Sequence, residues 1–449
     1  MLSREDNELL TQVGPGTAMG TLMREYWMPI YLSINLEVPD NKPHKIKLLG
    51  ENLIIFRDTS GNVGLLSETC PHRGASLYWS RNEENGIRCV YHGWKYDVTG
   101  QCVDMPNEPV ASNFRSKVKT LAYPCTERNG IVWGYMGPRE VLPPLPELEF
   151  NLLPADHVII RRDLQETNWV QGLEGNIDSS HLSFLHTRLE ATGDAEFYGE
   201  GPGTRGLFYE DAAPKMEVTN TDAGVMYGAG RAEEAGKTYW RITQFLMPFY
   251  GMFAPVSLEE CPLQWWIPLD DHAVMKWDIR WNPSRAIREE EKPMLILEDP
   301  GGWVEWTHDP YTHWRLAAAA ENDYLNDYGA QLDKRFSGIP SINLQDKAVL
   351  ESMGHVVDRT IEHLGTSDAM IIRTRRRLIN AATALRDHGV VPPGVDDPEV
   401  YRRRTATAIL DAGEDWQVGA GPYLEAFSDV GVLSAEAQQA SLRVQQQNS

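Results

Sequence analysis

From Lys45 to Gly137 the apolar residues fall in short runs that alternate with polar positions and are separated by turn residues. Lys45-Ile-Lys-Leu-Leu, Asn52-Leu-Ile-Ile-Phe, Ile87-Arg-Cys-Val-Tyr and Ile131-Val-Trp-Gly-Tyr each have the length and side-chain content of a strand, which predicts a small all-β domain. Pro143, Pro144 and Pro146 interrupt any regular element and predict a boundary near residues 140 to 155. Between Val158 and Pro283, strand-like runs such as Tyr239-Trp-Arg-Ile-Thr-Gln-Phe alternate with one helical stretch from about Asn168 to Leu185. Helical patterns return from about Asp346 to Leu385 and from Pro398 to Ala412, and the tail after Ser434 reads as frayed. The predicted class is α+β, and no internal repeat competes with it.

At 449 residues the chain exceeds one ordinary core, so two or three packed units are expected. No stretch approaches the length of a membrane-spanning apolar run. The N-terminus enters acidic, polar sequence without the blocks of a secretory signal, which predicts a cytoplasmic location. A formal charge of −22 opposes binding to nucleic acid or an anionic membrane and favours a basic protein partner. The five cysteines are odd in number and sparse, which argues against a disulfide framework and for metal-binding thiols in a reducing compartment.

Two of them stand in a pattern. Cys70-Pro71-His72 is followed, after sixteen residues, by Cys89-Val90-Tyr91-His92, with one Cys and one His in each segment and in the same order. Two thiolates and two imidazoles on paired loops suit a 2Fe-2S centre in which cysteines hold one iron and histidines the other. Structural zinc accepts the same residue types, although its usual arrangement is a Cys pair followed by a His pair. Gly74 and Gly93 let the loop backbones approach a cluster or simply make turns. Cys102, Cys125 and Cys261 lack such spacing and read as ordinary thiols.

A second constellation, Glu174-x3-Asp178-x2-His181-x4-His186, lies in the stretch read as helical. On a helix Asp178 and His181 share a face with Leu182 and Leu185, and polar groups buried there need partners. His186 would be turned about 140° from His181 on a regular helix, so both reach one metal only if the helix ends or bends. A metal site of two imidazoles and one carboxylate keeps open positions on the ion. Asp346, on a predicted helical face with Val349, Leu350 and Met353, is the candidate carboxylate; Asp323 and Asp327 are rivals that read as solvated or capping residues.

With their flanks, Cys70-Pro-His-Arg-Gly-Ala-Ser-Leu and Cys89-Val-Tyr-His-Gly-Trp-Lys-Tyr closely resemble the cluster loops of the Rieske family, and the Asp178 to His186 run resembles the iron motif of Rieske oxygenases. Leu10 to Gly20, Gly130 to Pro138, Gln345 to Gly354 and Glu362 to Arg373 extend the resemblance toward the phthalate dioxygenase subgroup, with its phenoxybenzoate and chlorobenzoate relatives. The resemblance implies an N-terminal helical segment (1–40) packed on the catalytic domain, a Rieske 2Fe-2S domain (41–150), and a helix-grip catalytic domain with an antiparallel sheet and a helical C-terminal part (151–449). It implies that Cys70, Cys89, His72 and His92 hold the cluster and that His181, His186 and Asp346 hold iron(II). It also implies a trimer or pair of trimers, in which Asp178 joins His181 of its own chain to His92 of the partner subunit.

The implied reaction is hydroxylation of an aromatic substrate, commonly a carboxylate, by ring dihydroxylation, with monooxygenation or O-dealkylation as alternatives and a pure electron carrier as the contrasting class. Gly201-Pro-Gly-Thr-Arg-Gly206 matches a dinucleotide fingerprint only formally, since its flanks read as a loop. Electrons from NADH or NADPH are therefore expected through a separate reductase, which the resemblance implies is a flavin and iron–sulfur protein. Arg241 and Arg205 are the candidate cations for a substrate carboxylate, and Arg241 shares a strand face with Tyr239, Thr243 and Phe245. A solvated, outward Arg241 is the competing reading.

Overall fold

The computed structural model describes the chain apart from residues 188, 190–210, 234–235, 256–259, 293–299, 308, 435–436 and 439–449. Arg205 and the glycine-rich run around it lie outside the described residues, as does most of the tail beyond Ser434.

The chain opens with two short helices, Arg4–Thr11 and Ala18–Arg24, whose first turns are capped by the hydroxyls of Ser3 and Thr17. Both pack against the long helix Ala369–His388, so the first residues of the chain are joined to its C-terminal part. The strand Trp27–Leu32 then pairs antiparallel with Ile131–Tyr135, which pairs with Cys125–Arg128. Between these strands lie two small antiparallel sheets. One runs through His44–Leu48, Glu51–Arg57, Val63–Ser67 and Ala122–Tyr123, and the other through Arg81–Asn82, Ile87–Arg88, Lys95–Tyr96 and Cys102–Asp104. The run expected to be a strand from Ile87 to Tyr91 stops at Arg88, because Cys89 begins a tight loop. This region has its own core, built on Ile54, Phe56, Leu66, Trp94 and Tyr96 around the buried Cys70 and Cys89.

The second part is built on an antiparallel sheet of eight strands among the described residues. Its main path runs from Val158–Gln165 through Val274–Trp281, Cys261–Pro268, Tyr250–Met252, Lys237–Leu246 and Gly224–Glu233 to Lys215–Asn220. Ala406–Asp411 pairs with Lys237–Leu246 off that path. The helix Trp169–Ile177 lies against strands Tyr250–Met252 and Cys261–Pro268. Trp133, Phe150, Trp265 and Trp281 meet edge to face or tilted, with centroids 5.4 to 5.7 Å apart, and fuse the sheets into one large core. The proline-rich segment expected as a boundary contributes to that core through Leu148 and Phe150, while Glu149 is buried against Arg404.

Three helical expectations are corrected. The helix read over Asn168 to Leu185 ends at Ile177, because Asp178 is extended and its Oδ1 accepts the Ser180 amide at 2.7 Å, an Asx turn that competes with helix continuation. The pattern from Asp346 to Leu385 is two helices, Ile342–Ser352 and Ala369–His388, separated by irregular backbone containing Gly354 at φ 82°. Pro398 to Ala412 is a short 3-10 turn followed by the strand Ala406–Asp411, which is buried on both faces from Ala406 to Leu410 and so shows no clean alternation.

No helix among the described residues is long and apolar enough to cross a membrane.

Candidate metal centres

The two cysteine loops have the same hydrogen-bond frame. Cys70 N–H donates to Ala75 O at 2.8 Å and Gly74 N–H to Cys70 O at 3.0 Å; Cys89 N–H donates to Trp94 O and Gly93 N–H to Cys89 O, both at 2.9 Å. Gly74 and Gly93 occupy the fifth position of each loop at φ 77° and 78°, where a side chain is strained. Both cysteines are buried, whereas His72 and His92 reach the surface partly exposed. Their rings stand edge to face with centroids 4.4 Å apart, and His72 stacks on Trp94 at 4.1 Å. Burial and the neighbouring Cys70 push the Cys89 thiol up, while desolvation followed by His72 and Arg73 holds His92 below its ordinary value. Tyr96 Oη lies 3.5 Å from Cys70 Sγ, within hydrogen-bonding distance of that sulfur.

The second centre gathers His181, His186 and Asp346, each with one ligand atom within 4.8 Å of the others. His181 follows the end of helix Trp169–Ile177 and starts a 3-10 turn, His181–Ser183. Phe184 then leaves helical geometry, at φ −124° and ψ −66°, and this break brings His186 round to the side of His181. Asp346 comes from the helix Ile342–Ser352, whose first turn is capped by Ser341. His181 Nε2 and His186 Nε2 are 3.2 Å apart; Asp346 Oδ1 is 3.2 Å from His186 Nε2 and 3.8 Å from His181 Nε2.

The remote ring nitrogens are also engaged. Asp178 Oδ2 lies 3.4 Å from His181 Nδ1, and Gln345 Oε1 lies 2.6 Å from His186 Nδ1. Burial opposes ionisation of Asp178, but the His181 ring and the Ser180 and His181 amides outweigh it and hold the carboxyl below its ordinary value. At Asp346 burial acts the same way and is outweighed by His186, His181 and Lys276. With each Nδ1 facing an acceptor, both Nε2 lone pairs and a carboxylate oxygen point at one spot. Three electron-pair donors so placed repel one another unless a cation lies among them, and neighbouring ligands about 3 Å apart match bonds of about 2.1 Å to one ion. The residues present therefore fit a 2-His-1-carboxylate metal site with open positions.

The remaining candidates are placed elsewhere. Asp327 caps a helix, accepting the Gly329 and Ala330 amides, and Asp323 is exposed. Val349 and Met353, expected on an apolar face with Asp346, are 38% and 46% exposed, so only Leu350 is buried there.

Residues 27–120 match the model of the Rieske [2Fe-2S] domain, and residues 134–436 match the "LigXa C-terminal domain like" family. The chain is 40% identical to the 3-chlorobenzoate-3,4-dioxygenase oxygenase subunit of Comamonas testosteroni, over 93% of this chain and 97% of that protein. It is 34% identical to the phthalate 4,5-dioxygenase oxygenase subunit of Pseudomonas putida, over 97% of this chain and 98% of that protein. The chain belongs to the Rieske oxygenases. The fold agrees with a solved structure of dicamba monooxygenase bound to dicamba, at a TM-score of 0.54 and 16% identity, over 82% of this chain and 99% of that one.

This Rieske oxygenase is accordingly an oxidoreductase with a 2Fe-2S cluster and a mononuclear iron. Its sheet carries buried charged groups on the face that bears Tyr227. Arg241 is buried on strand Lys237–Leu246 and donates from Nη2 to Ala254 O at 3.2 Å; it is not an outward, solvated residue. Tyr227, cross-strand from Thr243, hydrogen-bonds within the Thr243 and Ser179 environment and feels Asp178 and Arg241; burial pushes its phenol up to about 12. Leu182, next to His181, packs against the cluster of Tyr239, Ile409, Leu433 and Ala437. Sequence reasoning missed two residues here, Gln345 and Arg231. Arg231 is fully buried cross-strand from Tyr239, donates from Nε to Asp211 O at 2.9 Å, and has no hydrogen-bond partner for Nη1 or Nη2 among the described residues. Desolvation, then the charge of Arg241, pulls Arg231 down to about 10. Nothing in the sequence marked Arg231 or its neighbour across the strand.

Proposed function

We propose that this chain is the terminal oxygenase of a multicomponent system that dihydroxylates the ring of an aromatic carboxylate. The observation that carries the substrate class is the pair of buried guanidinium groups, Arg231 and Arg241, on the sheet face toward Asp178 and Tyr227. The charge of Arg241 disfavours that of Arg231 in this buried setting, and a carboxylate bound between them would offset the repulsion. Both curated relatives carry aromatic carboxylates in their names, which supports the same reading.

In this reading Cys70 and Cys89 hold one iron of the cluster, His72 and His92 the other, and His181, His186 and Asp346 hold the mononuclear iron. When bound, these groups supply electron storage and O2 activation. The protein's part is positional. Arg241 and Arg231 hold the carboxylate, so the ring lies on the metal side, and the buried sheet face excludes water. Asp178 accepts from His181 and orients it. The balance is one arene, one O2, two electrons and two protons, giving a diol with both oxygens on adjacent ring carbons.

Electrons come from NADH or NADPH through a separate flavin and iron–sulfur reductase. Beside His92, Val90 and Tyr91 are 60% and 54% exposed, an apolar surface that supports a subunit interface there. A trimer, or a pair of trimers, would set that surface against Asp178 of the next chain.

The test compares Arg241→Ala with the wild type on an aromatic acid and on its amide, following product and O2 together. A lost charged hydrogen bond of about 1.5 to 3 kcal/mol lowers kcat/KM on the acid by roughly tenfold to 150-fold. Equal loss on both substrates would remove the carboxylate from the reading.

A further inference from the structure

The histidines of the second centre are supported differently, and the difference assigns a role to Gln345. Behind His181 stands a carboxylate, Asp178; behind His186 stands a neutral amide, Gln345. The orientation of that amide is fixed by its other end, since Gln345 Nε2 donates to Ile339 O at 2.9 Å. Oε1 must therefore be the atom facing His186, and an oxygen that can only accept requires a proton on His186 Nδ1. Gln345 and His186 are 5% and 8% exposed, so water does not compete for either group.

Resting on the iron reading above, we propose that Gln345 is the positioning residue that locks His186 in the Nδ1–H tautomer and turns its Nε2 lone pair toward the metal. Without an acceptor at Nδ1 the ring proton is free to occupy Nε2, where it blocks the ligand atom, and the ring is free to rotate. The device is compact, because the same helical turn supplies the ligand Asp346 and the orienter Gln345 in consecutive positions. Moving this helix moves one ligand and the hydrogen-bond partner of a second together. The choice of an amide also has an electrostatic consequence. Asp178 and Asp346 already place two negative charges beside a divalent ion, and a neutral acceptor at position 345 leaves that balance intact.

The test uses cluster-containing protein from which the mononuclear metal has been removed by chelation. Long-range 1H–15N correlation on histidine-labelled protein, assigned by loss of the signal in His186→Gln, should show His186 as the Nδ1–H tautomer. Cobalt(II) titration should then give an affinity that falls by about 10- to 100-fold in the near-isosteric Gln345→Met, the usual cost of losing such a partner. The cluster spectrum should be unchanged, and the melting point should fall only by the small amount that loss of the Ile339 hydrogen bond costs, in Gln345→Met and Gln345→Glu alike. Gln345→Glu, which restores an acceptor, should recover the tautomer and most of the affinity. An Nε2–H tautomer in the wild type would overturn the proposal with no variant needed, and so would unchanged cobalt affinity in Gln345→Met. Failure of wild-type protein to bind cobalt at these residues would sink the iron reading instead, and the tautomer measurement separates the two.

Discussion

Asp178 Oδ2 faces His181 Nδ1 at 3.4 Å although the two residues share no helix. The contact depends on the chain break between them: Asp178 ends helix Trp169–Ile177 in extended conformation, and the turn through Ser179 and Ser180 returns His181 to its side. The carboxylate thus meets the imidazole through Oδ2 while its Oδ1 holds the Ser180 amide.

Asp178→Asn keeps the shape and removes the charge. The cluster spectrum and iron content should persist, while reoxidation of the reduced cluster in a single turnover with substrate and O2 should slow by about 10- to 100-fold, the range for partners of metal-bound histidines. Stopped-flow absorbance reads this directly, and a wild-type rate would remove Asp178 from the electron path.

Asp346→Ala should lose the mononuclear metal and retain the cluster, because it removes one of three converging donors. Asp327→Ala should keep both and cost about 1 kcal/mol of stability, since its carboxylate caps a helix. Metal analysis with urea denaturation distinguishes them.

Tyr96→Phe deletes the hydroxyl 3.5 Å from Cys70 Sγ. A hydrogen bond to a thiolate stabilises the reduced, more negative cluster, so its removal lowers the potential. A net contribution of about 0.5 to 1.5 kcal/mol corresponds to roughly 20 to 65 mV for one electron. Redox titration followed by the cluster's visible spectrum should show that drop, and an unchanged or raised potential would exclude the hydrogen bond.

Glu174 anchors helix Trp169–Ile177 by pairing with the buried Arg359 and Arg375, at 3.0 and 2.6 Å. Burial opposes its charge, but the two guanidinium groups outweigh burial and hold it below its ordinary 4.5. The folded-state value is thus depressed, so this stabilisation is complete above about pH 4.5 and is lost as the pH falls through the folded-state value. Glu174→Gln should cost about 3 to 5 kcal/mol at pH 7, by leaving buried positive charge uncompensated, and should flatten the acid limb of stability against pH. Denaturation midpoints from pH 7 to pH 3 check both effects.

The metal-binding residue types were legible because their chemistry is local: Cys-x-His and Cys-x-x-His loops need few neighbours to be recognised, and a His pair beside acidic residues is unusual on an apolar run. The bend that lets His181 and His186 face one another was legible only as a requirement, since a helical repeat continues on paper through Asp178-Ser179-Ser180. What stops it is a side chain capturing a backbone amide. The strand Ala406–Asp411 was read as helix for a different reason. Its partner, Lys237–Leu246, is some 170 positions away, and alanines at Ala406 and Ala408 satisfy either pattern until that pairing is known. Gln345 and Arg231 were invisible because each matters through a contact made across the fold, the one to His186 and the other to the strand bearing Arg241.

The most direct measurement is a single turnover of fully reduced protein, without reductase, mixed with an aromatic carboxylate and 18O2 and analysed by mass spectrometry. Two-centre dihydroxylation predicts a ring diol in which both new oxygens carry 18O, formed in step with cluster oxidation. Cluster oxidation that leaves no labelled product, or a product bearing a single 18O, would contradict it.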